Sequence, residues 1–209
     1  MSFEQEIQDI ARRYAGRRNG IVFYGASNFR MWEDMEADLC EYKVQNHGFG
    51  GSTDKDLVAF AETALYPFQP EILFFQTGSN DYAGLSGAED QIVDTCMSYK
   101  KHMFETFHKR MPHTQFVVMS GLLLPGRSQY TALTQRINAA LQAYCETVDY
   151  MHFVDASALT YDGANYDNSL FISDGIHLNR KGQRRWCDEY IRPQIERLAA
   201  ACGHTVYAK

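Results

Sequence analysis

An α/β fold is the class this sequence predicts: a three-layer α/β/α sandwich whose middle layer is a five-stranded parallel sheet. Three observations predict it. Five short apolar, β-rich runs alternate with segments whose apolar residues recur every three to four positions. The third run, Ile72-Leu73-Phe74-Phe75, is apolar without alternation, as expected of a strand covered on both faces. Each run also leads into a polar or glycine-bearing cluster, at Ser27, Gly51, Asn80, Arg127, and Asp174 with His177. In parallel α/β sheets function gathers beyond the carboxyl ends of the strands.

The elements follow in chain order. Phe3, Ile7, Ile10 and Tyr14 recur at helical spacing and predict a leading helix to about Ala15. The run Gly20 to Gly25 predicts the first strand, which ends at Gly25-Ala26-Ser27. Met31, Trp32, Met35 and Leu39 predict a helix directly after the serine. A second strand is expected near Tyr42 to Asn46, followed by Gly48-Phe49-Gly50-Gly51. Three glycines in four positions suit either a flexible turn or a place where backbone N–H groups face open space. Thr53 and Asp56 have capping-box spacing, ahead of Leu57, Phe60, Ala61, Ala64 and Leu65. The third strand ends in Thr77-Gly78-Ser79-Asn80-Asp81. Ile92, Cys96, Tyr99, Met103 and Phe107 then form the apolar stripe of a long helix closed by Pro112. Gln115 to Ser120 predicts the fourth strand, and Leu133, Ile137, Leu141, Tyr144 and Val148 a helix that returns to the fifth, Met151 to Val154. From Asp155 to Asp174 periodicity fades, and the tyrosines and asparagines there suggest a surface excursion packed on itself. Asn179 is placed to cap a last helix bearing Trp186, Tyr190, Ile195 and Leu198, with a kink expected at Pro193.

The 209 residues suit one domain spanning 1–209. Twenty-six acidic residues against twenty basic ones give a net charge of -6, which does not favour a nucleic-acid partner. The basic groups at Arg12, Arg13, Arg17 and Arg18, and at Arg180, Lys181, Arg184 and Arg185, read as solvated helix faces. Nothing approaches the ~18 apolar residues of a membrane span, and the start has no secretory character. Five widely spaced cysteines without a Cys-x-x-Cys pair read as buried free thiols in a reducing cytoplasm, and they offer no zinc spacing.

Ser27, at the end of a strand and the start of a helix, is the candidate nucleophile. A serine hydroxyl is weak near neutral pH and needs a base. His177 supplies one, and Asp174, three residues earlier in a turn, can orient it. An oxyanion hole needs donors where negative charge develops. The backbone N–H groups of Ser27 and Gly51 and the side-chain amide of Asn80 meet that need, although Asn80 also suits a turn residue.

Gly25-Ala26-Ser27, Asn46-His47-Gly48-Phe49-Gly50-Gly51, Gly78-Ser79-Asn80-Asp81 and Asp174-Gly175-Ile176-His177 resemble, in order, the four blocks of the SGNH hydrolases, also called GDSL-type lipases or esterases. Phe23 to Ser27 with Trp32, and Gly48 to Thr53, look most like the branch related to platelet-activating-factor acetylhydrolase. The resemblance implies a flavodoxin-like sandwich and a serine hydrolase of esters that needs no metal or other cofactor. It implies Ser27 as nucleophile, Asp174 and His177 as acid and base, and Ser27, Gly51 and Asn80 as the oxyanion hole. One position departs from the pattern: the usual aspartate before the serine is Ala26, which alters the local support of Ser27 without touching the triad acid.

Hydrolysis of a small acyl ester through an acyl-enzyme is therefore the expected activity, with a small-molecule ester as partner. Acyl transfer by the same triad, or a non-catalytic binding module on the same rim, are the alternatives. Homo-oligomerisation stays open, and Arg127 and the stretch from Tyr161 to Asn168 are marginal candidates for lining the pocket.

Overall fold

The computed structural model describes residues 2–202 and 206–208, with the side chains of 201 and 202 left aside. Five strands form one parallel sheet: β1 (Ile21–Gly25), β2 (Val44–Gly48), β3 (Ile72–Gln76), β4 (Gln115–Met119) and β5 (Met151–Val154). Their order is β2-β1-β3-β4-β5, and every pairing is parallel. The chain steps from β1 to β2 on one side and then crosses to β3 on the other. That reversal opens a crevice at the carboxyl ends of β1 and β3, the place where such sheets hold ligands.

Side chains alternate between the two faces of the sheet. Ile21 and Phe23 of β1 with Ile72 and Phe74 of β3 join one core, while Val22, Tyr24, Leu73 and Phe75 join the other. The first core is closed by α2 (Ser27–Arg30), α3 (Met35–Asp38), α7 (Arg180–Trp186) and α8 (Arg192–Cys202). The second is closed by α1 (Phe3–Arg13), α4 (Asp54–Ala64), α5 (Glu89–Arg110) and α6 (Thr131–Cys145). Both faces of β3 are buried, which is why the third strand reads as an unbroken apolar run. The capping box that opens α4 forms as expected, with the Thr53 hydroxyl accepting from the Asp56 N–H and the Asp56 carboxylate from the Thr53 N–H.

Several elements differ from expectation, each for a local reason. β2 begins and ends two residues later than the apolar pattern suggests, running through Asn46 and His47. Both polar side chains are satisfied where they lie. Asn46 Nδ2 donates to the carbonyls of Phe29 (2.7 Å) and Trp32 (3.3 Å), and His47 Nδ1 donates to the Ala64 carbonyl (2.6 Å). The Asn46 bonds to Phe29 and Trp32 fall at the break where two short helices, α2 and α3, replace the single helix expected after Ser27. In α5 the buried residue of the stripe is Lys100, and Tyr99 is exposed. The last helix is interrupted by a π-turn, Cys187–Ile191, just before Pro193, whose ring and missing N–H disfavour a regular ladder there. Cys40 is exposed, which corrects the expectation of uniformly buried thiols, and Cys96, Cys145 and Cys187 are buried and free. The Cys202 side chain lies outside the described residues.

The basic clusters are largely paired: Arg12 with Asp9, Arg13 and Arg17 with Glu36, Arg180 with Asp34 and Asp38, and Arg185 with Glu189 and Asp167. No helix among the described residues is long and apolar enough to cross a membrane.

His47 gives the fold a pH dependence. It is fully buried, stacked on Tyr14 and edge-on to Phe68, and burial pushes its pKa from 6.5 down to about 4 against the help of the Ala64 carbonyl. Because the folded value lies below the unfolded one, the stability from keeping this ring neutral is complete above 6.5. It drains as pH falls toward 4, by about 3 kcal/mol in all. Urea midpoints measured between pH 7.5 and pH 5 are expected to fall for the wild type and to fall less for His47→Gln. Parallel curves for the two proteins would contradict this.

Candidate active site

Ser27 is the first residue of α2, and β1 ends two residues before it. Its Oγ lies 2.8 Å from His177 Nε2, and His177 Nδ1 lies 2.7 Å from Asp174 Oδ2. A carboxylate only accepts, so Nδ1 carries the imidazole proton and Nε2 is left to accept from the serine hydroxyl. Asp174 is held in turn by the backbone N–H groups of Ile176 (2.8 Å) and His177 (3.0 Å) on its other oxygen. Partial burial pushes the Asp174 pKa up, but these hydrogen bonds outweigh it and set the carboxyl below the usual range. It therefore stays an anion beside the imidazole through the neutral range.

The turn that carries this pair is braced from three sides. The Ile172 N–H donates to the His177 carbonyl (3.0 Å), and Phe171 and Leu178 form an antiparallel bridge. The Leu178 N–H donates to Asn28 Oδ1 (3.3 Å), tying the turn to the serine helix. Asn179 caps α7 through the Gly182 N–H as expected. Gly126 backs the turn, donating its N–H to the Gly175 carbonyl at 2.9 Å. A side chain there would place a Cβ 2.3 Å from the Asp174 carbonyl oxygen, so only glycine fits.

Asn80 follows β3, across the crevice from Ser27. Its Oδ1 accepts from Arg127 NH1 (3.1 Å), which identifies the other side-chain atom as the amino group. One of that group's N–H bonds is taken by the Ser52 carbonyl (3.2 Å), leaving the second available. Gly51 immediately precedes Ser52 and has φ +79°, a backbone state that favours glycine. Ser52 Oγ donates to the carbonyls of Phe49 (3.0 Å) and Gly25 (3.3 Å), pinning this loop to the end of β1. The N–H groups of Ser27 and Gly51 have no acceptor among the described residues. Ala26, in the position before the serine, is buried, and its N–H donates to the Gln76 carbonyl (3.1 Å). The serine is thus supported through backbone.

The five residues expected of the site fall on one rim. Ser27, His177 and Asp174 are in hydrogen-bonded sequence, Ser27 and Asn80 line one small cleft, and Gly51 adjoins the peptide that Asn80 grips. Larger hollows lie elsewhere, as between α1 and β2, away from this chemistry. No cluster of three His, Cys, Asp or Glu residues suited to a metal ion occurs among the described residues. The stretch from Tyr161 to Asn168 packs on itself, the Tyr161 and Tyr166 rings 4.8 Å apart and Tyr166 bonded to Thr131.

Three further groups stand around the site: Arg127, expected as a pocket-lining candidate, does line the cleft, while Asp81 and Lys100 had no role in the sequence reading. Arg127 reaches Ser79 Oγ as well as Asn80. Asp81 accepts from the Asp54 N–H (2.7 Å), linking the Asn80 segment to the start of α4. Lys100 Nζ sits between Asp54 (3.0 Å and 3.1 Å), Thr77 Oγ1 (2.7 Å) and, farther off, Asp81 (4.0 Å). Lys100 carries a legible signal, since it follows Cys96 by four residues on the inward stripe of α5.

The family model of the GDSL-like lipases and acylhydrolases matches residues 11–185. Among solved structures, a Bacteroides fragilis protein assigned to the acylhydrolases is 19% identical over 91% of this chain and 96% of that one, with a TM-score of 0.75. A Streptococcus pneumonia protein assigned as a platelet activating factor is 19% identical, covers 93% of both chains and has a TM-score of 0.74. A family 3 carbohydrate esterase of Talaromyces cellulolyticus is 18% identical over 88% and 99%, with a TM-score of 0.61. At these identities the likeness is one of fold. No curated protein matches the chain.

Proposed function

The chain is an esterase of the GDSL-like lipase/acylhydrolase family, and we propose that it removes a small acyl group, acetyl or short-chain, through an acyl-enzyme on Ser27. The observation that carries this reading is the unbroken hydrogen-bonded line from Asp174 through His177 to the Ser27 hydroxyl, at 2.7 Å and 2.8 Å.

In this mechanism Ser27 Oγ attacks the ester carbonyl carbon while His177 Nε2 takes the hydroxyl proton, and Asp174 stabilises the imidazolium. The carbonyl oxygen becomes an oxyanion facing the N–H groups of Ser27 and Gly51 and the unused N–H of Asn80. Collapse breaks the bond to the alcohol oxygen, which leaves with the proton from His177. Water, deprotonated by His177, then attacks the acyl-serine, and the proton returns to Ser27 as the acid departs.

The tight cleft beside Ser27 supports a small acyl group over a long chain. The Talaromyces neighbour acts on carbohydrate, so an acetylated sugar is among the substrates to try. A fluorophosphonate tests the nucleophile directly: the serine oxygen displaces fluoride from phosphorus and keeps the phosphonyl group. Intact-protein and peptide mass spectrometry are expected to find one adduct, on Ser27. A wild-type protein that stays unlabelled under conditions that label a known serine hydrolase would sink the reading.

A further inference from the structure

Arg127 is the arginine whose setting the reaction above leaves unexplained. Among the described residues, the other arginines are either paired with a carboxylate or exposed to solvent: Arg18, Arg184 and Arg197 lack an ion pair and lie at the surface. Arg127 alone is half-buried with no carboxylate within 4.0 Å. A partly desolvated cation without a counter-charge is unfavourable unless something supplies one.

Its position is built rather than incidental. The Arg127 N–H donates to the Leu124 carbonyl (3.0 Å), and Gly126 before it is locked to the Asp174–Gly175 turn. At its tip, NH1 is fully used by two neutral acceptors, Ser79 Oγ and Asn80 Oδ1. Nε and NH2, with three N–H bonds between them, have no acceptor among the described residues. Asp174, in the turn that Gly126 backs, has one oxygen on the imidazole and the other on two backbone N–H groups. The guanidinium therefore lines the same cleft as Ser27 with a planar, unoccupied donor edge, the arrangement that matches a carboxylate or phosphate.

We propose that Arg127 receives an anionic group of the substrate, a carboxylate or a phosphate borne close to the scissile bond, so that the preferred substrate is an anionic ester. This rests on the hydrolytic reading of Ser27 and names the substrate class for that site. Neutralisation of Arg127 by the substrate would also hold Asn80 while the oxyanion forms, since one guanidinium nitrogen touches Asn80 and the others touch the anion.

Matched esters test it. On the alcohol side, 3-acetoxybenzoate is compared with methyl 3-acetoxybenzoate, and 3-acetoxyphenyl phosphate with phenyl acetate. On the acyl side, monoethyl fumarate is compared with ethyl crotonate. For each pair the ratio of kcat/KM, anionic over neutral, is measured for wild type, Arg127→Lys and Arg127→Gln. Loss of the Asn80 contact in Arg127→Gln slows both members of a pair alike, and that common factor cancels in the ratio.

The wild-type ratio is expected to exceed that of Arg127→Gln by about tenfold or more in at least one pair, because a hydrogen bond between charged partners is among the stronger ones. Arg127→Lys is expected to keep part of the preference. Which pair responds tells carboxylate from phosphate and acyl side from alcohol side. Equal ratios in all pairs overturn the inference, as does fluorophosphonate labelling of Ser27 without turnover of any anionic ester. A protein that neither labels nor turns over any of these esters overturns the hydrolytic reading together with it.

Discussion

Alanine at position 27 is expected to slow turnover of p-nitrophenyl acetate by about 10⁴-fold or more, toward the rate left to oxyanion donors alone. Among the described residues only one hydroxyl is hydrogen-bonded to His177 Nε2, that of Ser27 at 2.8 Å, so no described neighbour is placed to take over. The substitution removes an oxygen from a partly exposed helix start, and the far-ultraviolet circular dichroism and melting temperature are expected to stay those of the wild type. In the proposed mechanism Asp174, His177 and Ser27 act as a unit, so Ser27→Ala combined with His177→Ala should lose little beyond either single change. Steady-state rates corrected for spontaneous hydrolysis decide the matter. Ser27→Ala within tenfold of wild type would remove Ser27 from the reaction, and full multiplicativity of the two changes would break the chain from acid to nucleophile.

The rim on which that chain sits was legible in the sequence because it depends on patterns that are local. A strand buried on both faces must be apolar, so Ile72 to Phe75 declared itself. Residues placed just past such strands must then share an end of the sheet, which gathers Ser27, Asn80 and His177 without knowledge of strand order. What stayed hidden depends on partners far along the chain. The pattern ends the second strand at Asn46, where the run turns polar, yet Asn46 finds the carbonyls of Phe29 and Trp32, and His47 that of Ala64, and the strand runs on to Gly48. The same Asn46 bonds fall where the expected helix after Ser27 is broken. Arg127 could be seen at a strand end, but only the fold shows that no carboxylate comes near it while Ser79 and Asn80 do. Tyr99 and Lys100 both fit near the stripe of α5, and hydropathy favours the tyrosine. The lysine is inside because two aspartates from other elements meet it there.

That buried lysine sets the second large expectation, in stability. Lys100→Met is expected to destabilise the fold by about 3 to 5 kcal/mol, since removing one partner of a buried ion pair leaves the other charge uncompensated. For a chain of this size that corresponds to a fall in melting temperature of roughly 6 to 20 °C. The cluster holds one ammonium between two carboxylates. Burial pushes the Lys100 pKa down, but Asp54 and Asp81 outweigh it and hold it above the ordinary lysine range. Asp81 is the weaker partner, with one oxygen 4.0 Å from Lys100 and otherwise unbonded, and burial pushes its pKa up to about 6.

The sign of the pH dependence follows. Without the ammonium the Asp81 carboxyl, already raised by burial, loses the cation that lowers it, so the variant is least penalised in acid and loses stability as pH rises through the Asp81 value. The gap to wild type is therefore expected to be wider near pH 8 than near pH 5. Melting curves at the two pH values check this, and a Lys100→Met protein within about 2 °C of wild type at pH 8 would contradict it. Should that variant not fold, Lys100→Met with Asp54→Asn is expected to recover part of the loss, because it removes the charge that the lysine had answered. The consequence reaches the chemistry through the backbone. Asp54 opens α4 three residues after Gly51, Asp81 follows Asn80 directly, and the bond from the Asp54 N–H to Asp81 joins the two loops that carry the proposed oxyanion donors Gly51 and Asn80. One buried cation thus holds together, from beneath, the two loops that face Ser27 across the crevice.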